Sequence, residues 1–260
     1  MKLYIDGCSY SSYYWPTWAD LLVMSNTESF NVSESGAGNE RIFFNMMQNL
    51  SKFVPGETKV ILQWSSWPRF DYWKPNQTPR WDAAGNRYYV GDFIEQNVDW
   101  WNEDYLKFKT YHYVCAAAKI LEAANIDYYF LTMDDWSRYK SSKIPADWNS
   151  VISHPKMLIH DINRYVDEGK FKSYSFFAPW ESKVVPDGHP TVEAHRSIAH
   201  YVNQYLNMNI DSSLDAQYLD LHAKIAANDS LDEIKKISSI IKKNKTYLHT
   251  RSLMPYVCNS

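Results

Sequence analysis

The sequence predicts an α/β protein, a three-layer α/β/α sandwich with a mostly parallel central sheet and a helical C-terminal appendage. Three observations carry this. Short β-rich runs alternate with longer runs of helical periodicity, at the spacing of βαβ units. "KLYI" and "TKVILQW" read as buried strands. The segments "GCSYS", "SGAGN" and "QWSSWPR" each follow a candidate strand, at the end where parallel sheets hold ligands.

The elements follow in order. Residues 2–5 read as a strand. "PTWADLLVM", from Pro16, is a helix with proline in its first turn. "SFNVS", around Phe30, is a short strand. "GNERIFFNMMQNL", from Gly38, places Ile42, Phe43, Met46, Met47 and Leu50 at helical spacing. "TKVILQW", from Thr58, is the next strand. "YLKFKTYHYVCAAAKILEAAN" is a long helix ending near Asn125, and "IDYYFLTM" a strand. "PKMLIHDINRYV", from Pro155, reads as helical, "YSFFA", from Tyr174, as a further strand, and "TVEAHRSIAHYVNQYL", from Thr191, as a helix.

The domain organisation is then an α/β domain over residues 1–208, with an aromatic-rich insertion at 67–100, and a helical extension over 209–260. The insertion, dense in Trp, Tyr and Pro, is either a substrate-shaping lid or a structural flap. In the extension, "SLDEIKKISSIIKKNK" opens with a capping-box pattern, Ser230 to Glu233. Leu231, Ile234, Ile237 and Ile241 share one face, and Lys235, Lys236, Lys242, Lys243 and Lys245 make the other basic. This is either a solvated helix face or a docking element for a protein partner or a polyanion.

Composition excludes several classes. With 45% hydrophobic residues in 260, the chain can bury a large core, so global disorder is excluded. A net charge of −3 gives no basic footprint for nucleic acid. Aromatics at 16% either fill the core or line a cleft suited to sugars. Cys8, Cys115 and Cys258 are odd in number and widely spaced, which fits neither a disulfide scaffold nor a zinc ribbon. A reducing compartment, the cytoplasm, is expected. The N-terminal apolar run is too short for a signal peptide, and no run reaches the roughly 20 apolar residues of a membrane span. A virion location would leave the same trace.

The strongest chemical feature late in the chain is "VPDGHPTVEAHRSIAHYV". His189 in a Gly/Pro-rich loop, with Asp187 two residues before it, follows the logic of a base and its orienter. A histidine bonded only to its local backbone is the plain alternative. His195 and His200 lie further along the helix. Pro190 interrupts the segment and the His-Glu-x-x-His spacing is missing, so no metal is expected, and both read as surface or half-buried helix residues. A base needs a nucleophile, and the candidates are Cys8, Ser9 and Ser11. Cys8 is the more reactive intrinsically, and Ser9 has the better position, just past a strand and before a helix. Neighbouring side chains near a strand end point in different directions, so one of the two can meet the histidine.

"GCSYS" resembles the first block of the SGNH, or GDSL-like, hydrolase superfamily, in which a Gly-Asp-Ser turn after the first strand carries the nucleophile. The resemblance maps the catalytic serine onto Ser9 and puts Cys8 where the family has Asp. "NVSESGAGN" resembles the second block, with Gly36 as backbone oxyanion donor and Asn39 nearby. "DGHP" resembles the last block, giving Asp187 and His189 one residue closer together than in the family. The third block, Gly-x-Asn-Asp, departs most: here "QWSSWPRF" places Ser66 nearest the family's Asn. Arg69 follows, as an oxyanion contributor, a contact for an anionic substrate group or a partner of a surface carboxylate.

The blocks span residues 3–205 in family order. They imply the flavodoxin-like SGNH fold and a serine esterase or O-deacetylase with an oxyanion hole, forming an acyl-enzyme on a small ester. The ester is an O-acetyl group on a carbohydrate in the reading the aromatic insertion favours. No cofactor is implied. Cys8, Ser66 and the short Asp–His spacing also admit the alternative, a catalytically degenerate binding or structural protein on this scaffold.

Overall fold

Five short segments, four of them buried apolar runs, assemble the central sheet of the computed structural model. The structure describes residues 1–26, 28–73, 81–86, 103–134, 154, 156–162, 173–178, 183–228 and 230–243. The sheet strands are β1 (Lys2–Asp6), β2 (Phe30–Asn31), β3 (Thr58–Trp64), β6 (Asp127–Thr132) and β7 (Met157–Ile159). They pair in the order β2-β1-β3-β6-β7, every pair parallel. β1 and β3 run side by side from Lys2 opposite Thr58 to Asp6 opposite Leu62. Leu3, Ile5, Val60, Ile61 and Leu62 are fully buried, because a parallel sheet is covered on both faces.

The covering helices are α1 (Trp18–Met24), α2 (Asn39–Asn49), α3 (Glu103–Ala123) and α4 (Val192–Leu206). α1 packs with α4, and α2 with α3. The result is a three-layer α/β/α sandwich. The chain steps from β1 outward to β2 and then back across to β3. The sheet order therefore reverses at the carboxyl ends of β1 and β3, the crevice where such sheets bind ligands.

Several expectations change. Pro16 lies ahead of α1, whose N-cap is Thr17; the Thr17 N–H donates to the Asp20 carboxylate at 2.9 Å. The helix expected from Pro155 is instead the strand β7 at Met157–Ile159; Ile162 is helical, and residue 155 lies outside the described residues. Met157, Leu158 and Ile159 are all buried and pair with β6, whereas a helix would bury one side of such a run. Residues 163–170 lie outside the described residues. "YSFFA" does form a strand, β8 (Ser173–Ala178), but it pairs antiparallel with β9 (Lys183–Pro190), apart from the five-stranded sheet. The Asp187–His189 segment is accordingly in a strand and not in a loop.

Part of the aromatic insertion forms a second hairpin, β4 (Arg69–Trp73) with β5 (Trp81–Asn86). Residues 74–80 and 87–100 of the insertion lie outside the described residues. In the C-terminal region, α5 (Ser212–Ala226) and α6 (Leu231–Lys243) add Leu214, Tyr218, Leu221, Ile225 and Ile234 to the same core. Arg196 of α4 forks onto Asp215 of α5 with two bonds of 2.6 Å, and His200 meets the same carboxylate at 2.8 Å. Among the described residues no helix is long and apolar enough to cross a membrane.

Candidate active site

β1 ends at Asp6, and the chain turns at once through Gly7, Cys8 and Ser9. The turn closes with Ser11 and Ser12 N–H donating to the Cys8 carbonyl at 2.9 and 3.1 Å. Gly7 is needed because a Cβ there would lie 2.8–2.9 Å from Ser11 Oγ and the Gln63 side chain. Gln63, on the neighbouring β3, organises this turn. Its Oε1 accepts from the Cys8 N–H at 3.1 Å, the Cys8 thiol at 3.2 Å and the Ser11 hydroxyl at 3.2 Å. Its amide nitrogen donates to the Trp64 carbonyl at 2.7 Å, which fixes which way the group faces. Cys8 and Ser11 are thus fully buried and engaged with β3. Ser9, 2% exposed, is directed elsewhere: its hydroxyl accepts from Arg69 Nη1 and Nη2 at 3.5 and 3.4 Å.

The loop after β2 runs beside this turn. Val32 N–H donates to the Ile5 carbonyl and Glu34 N–H to the Gly7 carbonyl, at 2.9 and 3.1 Å. Gly36 then takes φ of +84°, a left-handed conformation that favours glycine. Among the described residues, neither the Ser9 N–H nor the Gly36 N–H has an acceptor.

α2 has no capping side chain of its own, since Gly38 is its N-cap. Asp71 of β4 supplies the cap, accepting from the Gly38 and Arg41 N–H groups at 2.8 and 2.9 Å. Burial pushes the Asp71 carboxyl up to about 6, and those backbone bonds oppose the rise. Asn39 is fully committed. Its amide donates to the Ser65 carbonyl and Thr110 hydroxyl at 3.0 and 3.2 Å, and its oxygen accepts from Ser65 N–H at 2.7 Å. It therefore positions the segment after β3. Ser66 sits in that segment, 9% exposed, and its carbonyl accepts from Arg69 N–H at 3.2 Å. Beside Arg69 opens a shallow pocket lined by Trp67, Leu106, Lys109, Thr110 and Tyr113.

His189 is delivered by β9. From Ser173 to Ser175, a step of two on β8, the partner strand advances from Pro190 to Pro186, a step of four. The surplus falls at Asp187, Gly188 and His189, which form a bulge with Gly188 at φ +82°. The loop following Ser9 grips this bulge. The Tyr10 hydroxyl donates to the Gly188 carbonyl at 3.1 Å, and Trp15 Nε1 to the Pro190 carbonyl at 2.9 Å. Tyr13 stacks on the His189 ring, centroids 3.8 Å apart and planes within 16°, while Tyr10 meets it edge-on at 5.2 Å. His189 is not a hydrogen-bond partner of the Ser9 hydroxyl. The Asp187 side chain lies outside the described residues.

One buried acid lies at the base of the site. Asp6 is fully buried, and burial raises its carboxyl to about 7. Arg41 at 3.9 Å and the Gly7 N–H at 2.8 Å limit that rise. His195, expected at the surface or half-buried, is fully buried: with Val192, Ile198, Ala199 and Val202 it lies on the face of α4 that meets the core. Among the described residues no group of three His, Cys, Asp or Glu could hold a metal ion. Tyr10, Tyr13, Trp15, Gln63 and Asp71 were not anticipated from the sequence. Only Gln63 carried a signal there, a polar residue inside the apolar run "VILQW".

No family model matches the chain, and no curated protein matches it. Among solved structures, it is similar to a psychrotrophic esterase from Pseudoalteromonas sp., at 14% identity and a TM-score of 0.41, over 79% of this chain and 98% of that one. It is similar also to a GDSL-like lipase from Bacteroides thetaiotaomicron, at 15% identity and a TM-score of 0.37, over 79% and 87%. A Bacillus subtilis protein aligns at 12% identity and a TM-score of 0.41, the match spanning 79% of this chain and 56% of that one.

Proposed function

We propose that the chain is a serine ester hydrolase working through an acyl-enzyme, with Ser9 as nucleophile, His189 as general base and Asp187 as its orienter. One observation carries the reading. The loop that begins at Ser9 holds the segment that bears His189, through Tyr10 to Gly188 and Trp15 to Pro190. Nucleophile and base are thereby tied to one another across 180 residues, at the switch point of the sheet. The spare N–H groups of Ser9 and Gly36 supply backbone donors for an oxyanion.

The reaction follows from these roles. His189 takes the hydroxyl proton as Ser9 Oγ bonds to the ester carbonyl carbon. The tetrahedral intermediate collapses, the alcohol leaves with that proton, and water attacks the acyl-enzyme by the same path. Resting sites commonly hold the serine–histidine bond long and tighten it on substrate. The near-complete burial of Ser9 favours a small acyl group, and Trp67 and Tyr113 in the neighbouring pocket favour a carbohydrate O-acetyl ester.

A second reading, a binding protein on the same scaffold, is favoured by the resting engagement of Ser9 with Arg69. A panel of short-chain aryl esters and a fluorophosphonate probe separates the two. The parent turns over ester and is labelled, and Ser9→Ala does neither. Equal behaviour of the two proteins refutes the Ser9 assignment.

A further inference from the structure

We propose that the Arg69 guanidinium is the side-chain donor of the oxyanion hole, binding the charge that develops on the acyl oxygen as Ser9 attacks. The inference rests on the Ser9 hydrolase reading and names a residue that acts in it.

Position is the first support. Both terminal nitrogens of Arg69 lie 3.4–3.5 Å from Ser9 Oγ. The acyl oxygen of a tetrahedral adduct is only two bonds from Oγ, through the former carbonyl carbon. It therefore forms within the compass of the same guanidinium fork, which offers several donors in one plane. An anionic group elsewhere on a substrate would lie further off and would have to draw Arg69 away from the nucleophile.

Charge is the second. Among the described residues, Arg69 has no carboxylate partner. Asp71, two residues along the same strand, is held by the Gly38 and Arg41 N–H groups. Glu40, on the wall of the adjacent pocket, pairs with Lys109. Among the described residues the cation facing Ser9 is thus un-neutralised, and an oxyanion supplies a negative charge for it.

Elimination is the third. The side-chain amides near this turn are already engaged: Asn39 donates to Ser65 and Thr110, Gln63 to the Trp64 carbonyl, and Asn31 to the Ser11 carbonyl and Asp20. Arg69 is itself anchored. Its N–H bonds to Ser66, and its backbone abuts Gly38, where a Cβ would lie 3.2 Å from the Arg69 carbonyl carbon and oxygen.

In the step itself, the Oγ–carbon bond forms and the carbonyl π pair moves to the acyl oxygen. The Oγ proton passes to His189. Arg69 donates hydrogen bonds to the new oxyanion and keeps its own protons, since a guanidinium does not deprotonate in proteins. On collapse the pair returns to the carbonyl, the bond from the acyl carbon to the alcohol oxygen breaks, and His189 gives its proton to that oxygen.

The test compares the parent with Arg69→Ala, Arg69→Lys and Ser9→Ala, on 4-nitrophenyl acetate and on an anionic 4-nitrophenyl hemisuccinate. Arg69→Ala is expected to lower kcat on both esters about 10²–10³-fold, with KM changed less than severalfold. Arg69→Lys keeps part of the rate, and added guanidinium ion restores part of it to Arg69→Ala. Retained kcat in Arg69→Ala overturns the proposal, as does a loss confined to KM for the anionic ester. So does a loss in a folded variant that neither lysine nor guanidinium relieves. Should the alanine variant not fold, Arg69→Gln is judged on the same kcat–KM split. A Ser9→Ala variant as active as the parent refutes the underlying reading; an inactive Ser9→Ala beside a fully active Arg69→Ala refutes the arginine role alone.

Discussion

Gln63 Oε1 accepts from both the backbone N–H and the thiol of Cys8, at 3.1 and 3.2 Å. One side chain on β3 thus fixes the turn that presents Ser9. Replacing it by leucine leaves the Cys8 N–H and Ser11 hydroxyl buried without their acceptor, and each such loss costs about 1–3 kcal/mol. Gln63→Leu is expected to lower the urea unfolding free energy by about 3 kcal/mol and to reduce fluorophosphonate labelling of Ser9. Cys8→Ala keeps the backbone bond to Gln63, so labelling persists. The native Cys8 thiol, fully buried, reacts with a thiol reagent only on unfolding.

Asp71 caps α2 from another strand, and this ties the helix start to the β4 that carries Arg69. Asparagine there presents one oxygen and one NH2 to two backbone N–H groups, so one bond becomes a donor–donor clash. Asp71→Asn is expected to lose about 1–2 kcal/mol in chemical unfolding. Gly38→Ala is expected to be of similar severity for a different reason. Its φ is −91°, so the backbone is unstrained, but the new Cβ would lie 2.7 Å from Asp71 Oδ2. Both variants should also slow ester turnover, because the displaced strand moves Arg69. A Gly38→Ala variant with parental stability and rate contradicts the close approach.

Much of this arrangement is legible in the sequence where interactions are local or strongly periodic. β1, β3 and β6 announce themselves as apolar runs, the first two followed by small residues, and α2 and α4 by their spacing. Ser9 stands out as a candidate by its place after a strand, and the resemblance to the hydrolase blocks selects it and Gly36. β7 is misread because "MLI" is too short a run for periodicity to tell strand from helix. β9 is misread because its Gly and Pro content signals a loop, while a partner strand several residues upstream holds it extended. The grip of Tyr10, Tyr13 and Trp15 on residues 188–190 joins segments some 175 positions apart. No local pattern encodes that.

The same grip makes a kinetic prediction. Tyr13 stacks on His189, and Tyr10 holds the carbonyl of the preceding Gly188. In the proposed mechanism both rings position the base. Tyr13→Ala is expected to reduce kcat about 10-fold or more, since misplacing a catalytic group by a small distance suffices for that. KM should hold, so that the loss is confined to kcat. Tyr10→Phe removes one hydrogen bond and keeps the edge contact, so a smaller fall of the same kind is expected. A change in KM alone would assign these rings to substrate binding.

The buried Asp6 makes stability depend on pH in a direction opposite to that of a salt-bridged acid. Burial raises its carboxyl from 3.8 to about 7, more than Arg41 and the Gly7 N–H lower it. Between those values the folded protein holds a proton that the unfolded chain has released. Stability from this group is therefore fully present below pH 3.8 and is lost as pH rises through 7, at no more than about 1.4 kcal/mol per pH unit. Asp71, raised to about 6, adds the same sign over a narrower window. Asp6→Asn isolates the first effect, because Asp71 is present in both proteins and cancels in the difference. Urea unfolding of parent and Asp6→Asn from pH 4 to 8 should show the parent's free energy falling relative to the variant's up to about pH 7 and running parallel above it. A difference that is flat, or that grows with pH, would mean that Asp6 is held as a carboxylate by Arg41 throughout. The buried pair beneath Ser9 would then be a permanent ion pair rather than a neutral acid beside a cation.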